Sequence, residues 1–165
     1  MQSLERIQND DLLFFNSIWL NLMSYGIRLV DPENDYNVMH TGNRHQEGGN
    51  YVAFVKTADG QILQGTADCD LNVTYNYSTI YSRVFPQGTA RENPPYSNKG
   101  DNEGIKWLYG RTAEESIPVL EQAVEQLGTE RDTDYWKATD GNAGRALNTL
   151  LGWARENPNG IWWVL

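Results

Sequence analysis

Residues 68–78 read DCDLNVTYNYS, and three chemistries compete for them. Asp68 and Asp70 suggest a cation loop, Asn72-Val73-Thr74 and Asn76-Tyr77-Ser78 are glycosylation sequons, and the alternation of residue types suggests a strand. A calcium loop of the EF-hand kind needs glycine at its sixth position and a bidentate glutamate at its twelfth; those places hold Val73 and Thr79. Sequons carry meaning only in a secretory setting. A single cysteine, Cys69, offers no disulfide framework and fits a reducing compartment. The strand reading is left. Leu71, Val73, Tyr75 and Tyr77 alternate with Asn72, Thr74, Asn76 and Ser78. That is the period-two pattern of a half-buried strand, with β-branched and aromatic residues on the inner side.

Working outward, the strand over 71–77 follows a hairpin signal over 51–66. Tyr51–Thr57 and Gln61–Thr66 flank the turn pair Asp59-Gly60, so the three segments read as an antiparallel meander. A short helix through Ile80, Tyr81, Val84 and Phe85, capped by Ser78, comes next. At the front, Asn9, Asp10 and Asp11 offer caps for a helix with Leu12, Phe15, Ile18, Trp19, Leu22 and Met23 on its apolar stripe, stopped by Gly26. Asp31–Asn50 reads as a polar loop with one short strand near Tyr36–Met39.

Toward the end, Pro86–Glu103 is a long flexible connection. Thr112-Ala-Glu-Glu115 fits a capping box opening a helix that Gly128 ends, although Pro118 leaves Ser116 as a rival cap. Thr139 or Asp140 opens a last helix with Ala143, Ala146, Leu147, Leu150, Leu151 and Ala154 on one face. Asn157-Pro158-Asn159-Gly160 closes it, and Ile161–Leu165 is strand-like. The predicted class is α+β: one domain over 1–165, with a small antiparallel sheet, an N-terminal helix and two C-terminal helices.

The chain carries a formal charge of −9 and is 12% aromatic. A field of that sign repels phosphate backbones, which argues against direct nucleic-acid binding. No apolar run approaches the roughly 18 residues of a membrane span, and the acidic first residues lack the features of a signal peptide. The expected setting is cytoplasmic.

Several groups are candidates for chemistry. His40 and His45, the two histidines, share a glycine-containing loop, and with Asp35, Glu47 or Cys69 they have ligand chemistry for zinc. Their spacing matches no strong metal signature, and a surface loop explains them as well. Cys69 with either histidine is a thiol-hydrolase pair in principle, although a buried small hydrophobe accounts for Cys69 better. Gly141-Asn142-Ala143-Gly144 at a helix start resembles a phosphate cradle but lacks the Walker lysine and serine; close packing explains small residues equally well. Glu121 and Glu125, four apart, read as a wet helix face rather than an acid–base pair. Asn72, Thr74 and Asn76, with Tyr75 beside them, form a row of groups able to grip a ligand or partner strand if that side of the sheet is open. No catalytic set, metal site or cofactor signature is assembled.

Three stretches also carry a resemblance: VTYNYS (Val73–Ser78), GIKWLYGRTAEESIPVLEQAVEQL (Gly104–Leu127) and DYWKATDGNAGRALNTLLGWARENPNGIW (Asp134–Trp162). Over a little more than half of the chain they resemble a group of small uncharacterised proteins from bacterial, phage and other mobile-element genomes. The resemblance implies a setting and no activity, cofactor or site residue. The expected function is a non-enzymatic, acidic protein-binding accessory module, such as an inhibitor or modulator of a host defence protein. Its rivals are a small-molecule or phosphate-ligand site, a Cys–His hydrolase, and a phage structural or assembly subunit. Oligomeric state is left open.

Overall fold

Ile27 and Leu29 alternate with Gly26 and Arg28, and the segment Ser24–Val30 (β1) is the middle strand of the main sheet. The described residues of the computed structural model are 24–41, 66–87 and 104–165. The expected helix over 9–23, residues 51–65 of the expected hairpin, His45 and residues 88–103 of the long connection lie outside them. The strand at 24–30 was missed by the sequence reading. Gly26 is no helix stop: it faces Asn72 across the sheet, and its backbone N–H and C=O pair with Leu165 at 3.2 and 2.8 Å.

Met39–Thr41 (β2) pairs antiparallel with Thr66–Asp68 (β3), and among the described residues these two form a second sheet. Asp70–Thr74 (β4) and Ile161–Val164 (β5) flank β1 on either side, both antiparallel, with Ile27 opposite Leu71 on one side and Val164 on the other. The chain passes from one sheet to the other at Cys69. Its N–H donates to the Val38 carbonyl at 2.9 Å and its C=O accepts from the Leu29 N–H at 3.0 Å, so both sheets keep their ladders satisfied at the crossing.

Leu71 and Val73 turn inward as expected and are fully buried, but the strand stops at Thr74. Tyr75–Tyr77 curl into a 3-10 turn because the Thr74 hydroxyl accepts from the Asn76 N–H at 3.2 Å, a local bond that competes with the ladder. Alternation breaks there: Thr74 is buried while Tyr75 is exposed. The following helix, Ser78–Val84 (α1), has Tyr77 in its cap position. Ser78 is not the cap; its hydroxyl donates back to the Tyr75 carbonyl at 2.5 Å.

Ala113–Leu127 (α2) opens with the capping box intact: Glu115 N–H donates to Thr112 Oγ1 at 3.2 Å, and Thr112 N–H donates to Glu115 Oε2 at 2.9 Å. That excludes Ser116 as the cap, and the helix runs through Pro118. Asp140–Glu156 (α3) is capped by Thr139, whose hydroxyl accepts from the Asn142 N–H. Gly144 meets Leu127 and Gly128, and Arg155 pairs with Glu121 at 2.8 Å. The two helices therefore lie antiparallel against each other.

The core lies between these helices and the sheet face bearing Ile27, Leu29, Leu71, Val73, Trp162 and Val164, each at most 6% exposed. Among the described residues Trp162 is the largest fully buried side chain. The indole N–H donates to Ser116 Oγ at 2.9 Å, and Ser116 Oγ donates to the Ala113 carbonyl at 2.7 Å. Ser116→Ala removes that acceptor inside a dry core. The orphaned indole costs about 2 kcal/mol, while alanine's better helix propensity returns only about 0.5 kcal/mol. A lower urea midpoint with an unchanged slope is the expected result.

Candidate functional site

The helix start that resembles a phosphate cradle is filled by the protein itself. A Cβ at Gly141 would lie 2.0 Å from the Glu130 carbonyl oxygen, and one at Gly144 would lie 2.0 Å from that of Gly128. Glycine is required at both positions because backbone crosses there, not because a ligand approaches. Asn142 is 3% exposed and fully engaged. Its Oδ1 accepts from the Asp132 N–H at 3.0 Å, and its Nδ2 donates to the carbonyls of Asp134 and Lys137, both at 3.0 Å. Asn142 thus pins the 131–139 loop onto the start of α3. Gly141 and Asn142 serve structure, and the phosphate reading loses its free donors.

The polar strand residues do not act as a row. Asn72 lies half-buried opposite Gly26. Thr74 is buried and caps the 3-10 turn. Asn76 sits in that turn and donates through Nδ2 to the Trp136 carbonyl at 2.9 Å. Tyr75, 38% exposed, stands edge-on to Tyr25 with ring centroids 4.4 Å apart. Together with the Tyr77 hydroxyl, which donates to the Tyr135 carbonyl, Asn76 fastens the turn to the 131–139 loop. Breaking of the strand at Thr74 is what scatters these groups.

His40 is 2% exposed, with its ring 5.0 Å from that of Trp153 at an interplanar angle of 31°; it belongs to the interior and not to a surface loop. Cys69 is fully buried. Burial, then Glu156, then Asp68 push its thiol far above the usual range. A thiol held protonated at neutral pH is a poor nucleophile, which weighs against the hydrolase reading. Among the described residues no group of three or more His, Cys, Asp or Glu is placed to hold a metal ion. Glu121 is tied to Arg155, both about half exposed, as a solvated face requires.

The sequence reading missed a cleft of about 400 Å³ between two distant segments, lined by Asp31, Pro32, Glu33 and Val38 on one wall and by Glu156–Gly160 on the other. The Asn157 Nδ2 donates to the Met39 carbonyl at 3.1 Å and joins the walls. Asp31 shapes its side by accepting from the Glu33 N–H at 2.8 Å and from Asn34 Nδ2 at 3.3 Å. Asp31, Glu33 and Glu156 contribute three carboxylates, and among the described residues no lysine, arginine or histidine lines the cleft. The C-terminal end of α3 opens here, adding the negative pole of its dipole. Chemically the cleft suits a cation. In sequence its halves read only as a polar loop and a helix terminator, and nothing local links them.

A further polar feature is centred on Arg28. Arg28 lies opposite Asp70 and stacks over the Trp163 ring at 5.6 Å. Burial raises the Asp70 pKa, Arg28 opposes that shift, and Asp68 adds to it.

No protein-family model, no curated protein and no solved structure matches the chain. Among the described residues no helix is long and apolar enough to cross a membrane.

Proposed function

We propose that this protein is a non-enzymatic binding module that receives a basic segment of a protein partner in the cleft between Asp31–Val38 and Glu156–Gly160. One observation carries the reading: three carboxylates and a helix C-terminus converge on a cleft of about 400 Å³ whose lining holds no basic residue among the described residues, in a chain of net charge −9. Charge of this kind steers a basic partner in and sets specificity against acidic ones. The cytoplasmic setting and the accessory role, blocking or modulating a host protein from a mobile element, rest on the single cysteine and on the resemblance described above. The size of the cleft also falls within the range of small-ligand pockets, so a small polycation is the second reading.

An oligo-lysine peptide titrated against tryptophan fluorescence tests both. Binding is expected to weaken steeply with added salt. Replacing Glu33 and Glu156 with glutamine removes two exposed ion pairs of about 0.7 kcal/mol each, hence about tenfold in affinity. Spermine competing the peptide away favours the small-ligand reading. Affinity that ignores both salt and the double substitution removes the proposal.

A further inference from the structure

The rim of the cleft carries a chemical feature that the binding reading does not use. Asn159 is exposed and is followed by Gly160, the only Asn-Gly pair in the chain. Asparagine is the thermally labile residue of such pairs, because a following glycine puts no Cβ in the way of its own backbone nitrogen. We propose that Asn159–Gly160 is a latent self-modification site, kept closed by the turn that anchors β5.

The reaction needs only water. The Gly160 nitrogen, its proton lost to solvent base, attacks Cγ of Asn159; that C–N bond forms, the Cγ–Nδ2 bond breaks, and the side-chain nitrogen takes a proton from water and leaves as ammonia. The resulting succinimide ring opens when water adds to either carbonyl, giving aspartate or isoaspartate. Nothing is oxidised or reduced.

The folded turn withholds the nucleophile. The Gly160 N–H donates to the Asn157 carbonyl at 3.0 Å, and the Gly160 carbonyl accepts from Ala113 N–H at 2.8 Å. Gly160 is also pressed onto Leu29, where a Cβ would lie 2.7 Å from Cγ. Swinging the nitrogen toward Asn159 Cγ breaks the bond to Asn157 and drags this packed residue with it. Conversion therefore proceeds through local opening of the turn, and its rate reports that opening. The product sets a further carboxylate on the rim beside Asp31, Glu33 and Glu156.

The full chain, incubated in mildly alkaline buffer with and without denaturing urea, tests this by peptide mass spectrometry. The peptide spanning 157–165 is expected to gain the mass of an amide-to-acid change in urea and to do so at least about tenfold more slowly when folded. Asn159→Gln, which requires a larger ring, is expected to abolish the gain in that peptide. Equal rates in the two conditions overturn the closed turn. No gain in urea, or a gain that survives Asn159→Gln, overturns the site.

Discussion

Gly144→Ala is expected to lower the thermal midpoint by roughly 10 °C, whereas the same substitution two turns along the helix, Gly152→Ala, raises it by roughly 3 °C. Both positions lie inside α3, and in both alanine gains about 1 kcal/mol of helix propensity. What differs is the space. At Gly144 the new methyl lands 2.0 Å from the Gly128 carbonyl oxygen and 2.9 Å from Leu127 Cβ. Neither is the flexible end of a side chain. Gly128 is itself held at φ 70° as the C-cap of α2, its N–H bonded to the Val124 carbonyl. The helices have to separate, and overpacking of this kind costs about 4 kcal/mol against the gain of about 1. At Gly152 a methyl meets nothing within 4 Å among the described residues, so propensity decides. Calorimetry on the two variants checks the sign at each position; a neutral Gly144→Ala would show that the helices are not in backbone contact.

Asn142→Ala is expected to cost about 3 kcal/mol, read as a lower urea midpoint and as rapid amide exchange through the 131–139 loop. Three bonds are lost, and the Asp132 N–H and the carbonyls of Asp134 and Lys137 lose their buried partner. Asn142→Asp distinguishes hydrogen bonding from shape. The carboxylate still accepts from Asp132, and its place in the first turn of α3 earns less than about 1 kcal/mol from the helix dipole. Against that, the charge is buried and faces two carbonyl oxygens where Nδ2 used to donate. Its pKa is therefore raised in the folded state, since only the protonated acid can donate to one of them. A raised folded pKa means the variant is most stable below the unfolded value of about 3.9 and loses stability as pH rises past it. The gap between Asn142→Asp and the parent chain should widen from acid to neutral pH. A gap independent of pH would place the side chain in water.

Much of the architecture was legible locally because local bonds determine it. The capping box at Thr112, the Thr139 cap, the Gly128 stop and the apolar face from Ala143 to Ala154 each depend on residues within a few positions of one another. Leu71 and Val73 were readable for the same reason. Tyr75 to Tyr77 were not, since one hydroxyl, that of Thr74, decides between ladder and turn. The central strand hid behind Gly26, which looks like a helix terminator until Leu165, far away in sequence, supplies its pairing partner. The candidate site fared worse. Gly141, Asn142 and Gly144 form a cradle by composition, and only the backbone of Gly128 and Glu130 crossing above them reveals the vacancy as taken. The acidic cleft requires residues 31–38 to meet 156–160, a meeting that no periodicity encodes.

That β1 is flanked by β5 has a kinetic meaning. Ile27 faces Val164, so this ladder closes a loop of almost the whole chain, whereas α2 and α3 are near neighbours able to associate at once. Drawing such distant ends together loses entropy before any contact rewards it, and pairings of long separation are the slow ones. The sheet is therefore expected to gain its β5 strand late. Until it does, β1 presents an unsatisfied edge and the indole of Trp162 has no pocket, and this is the interval in which a crowded solution would favour aggregation over refolding.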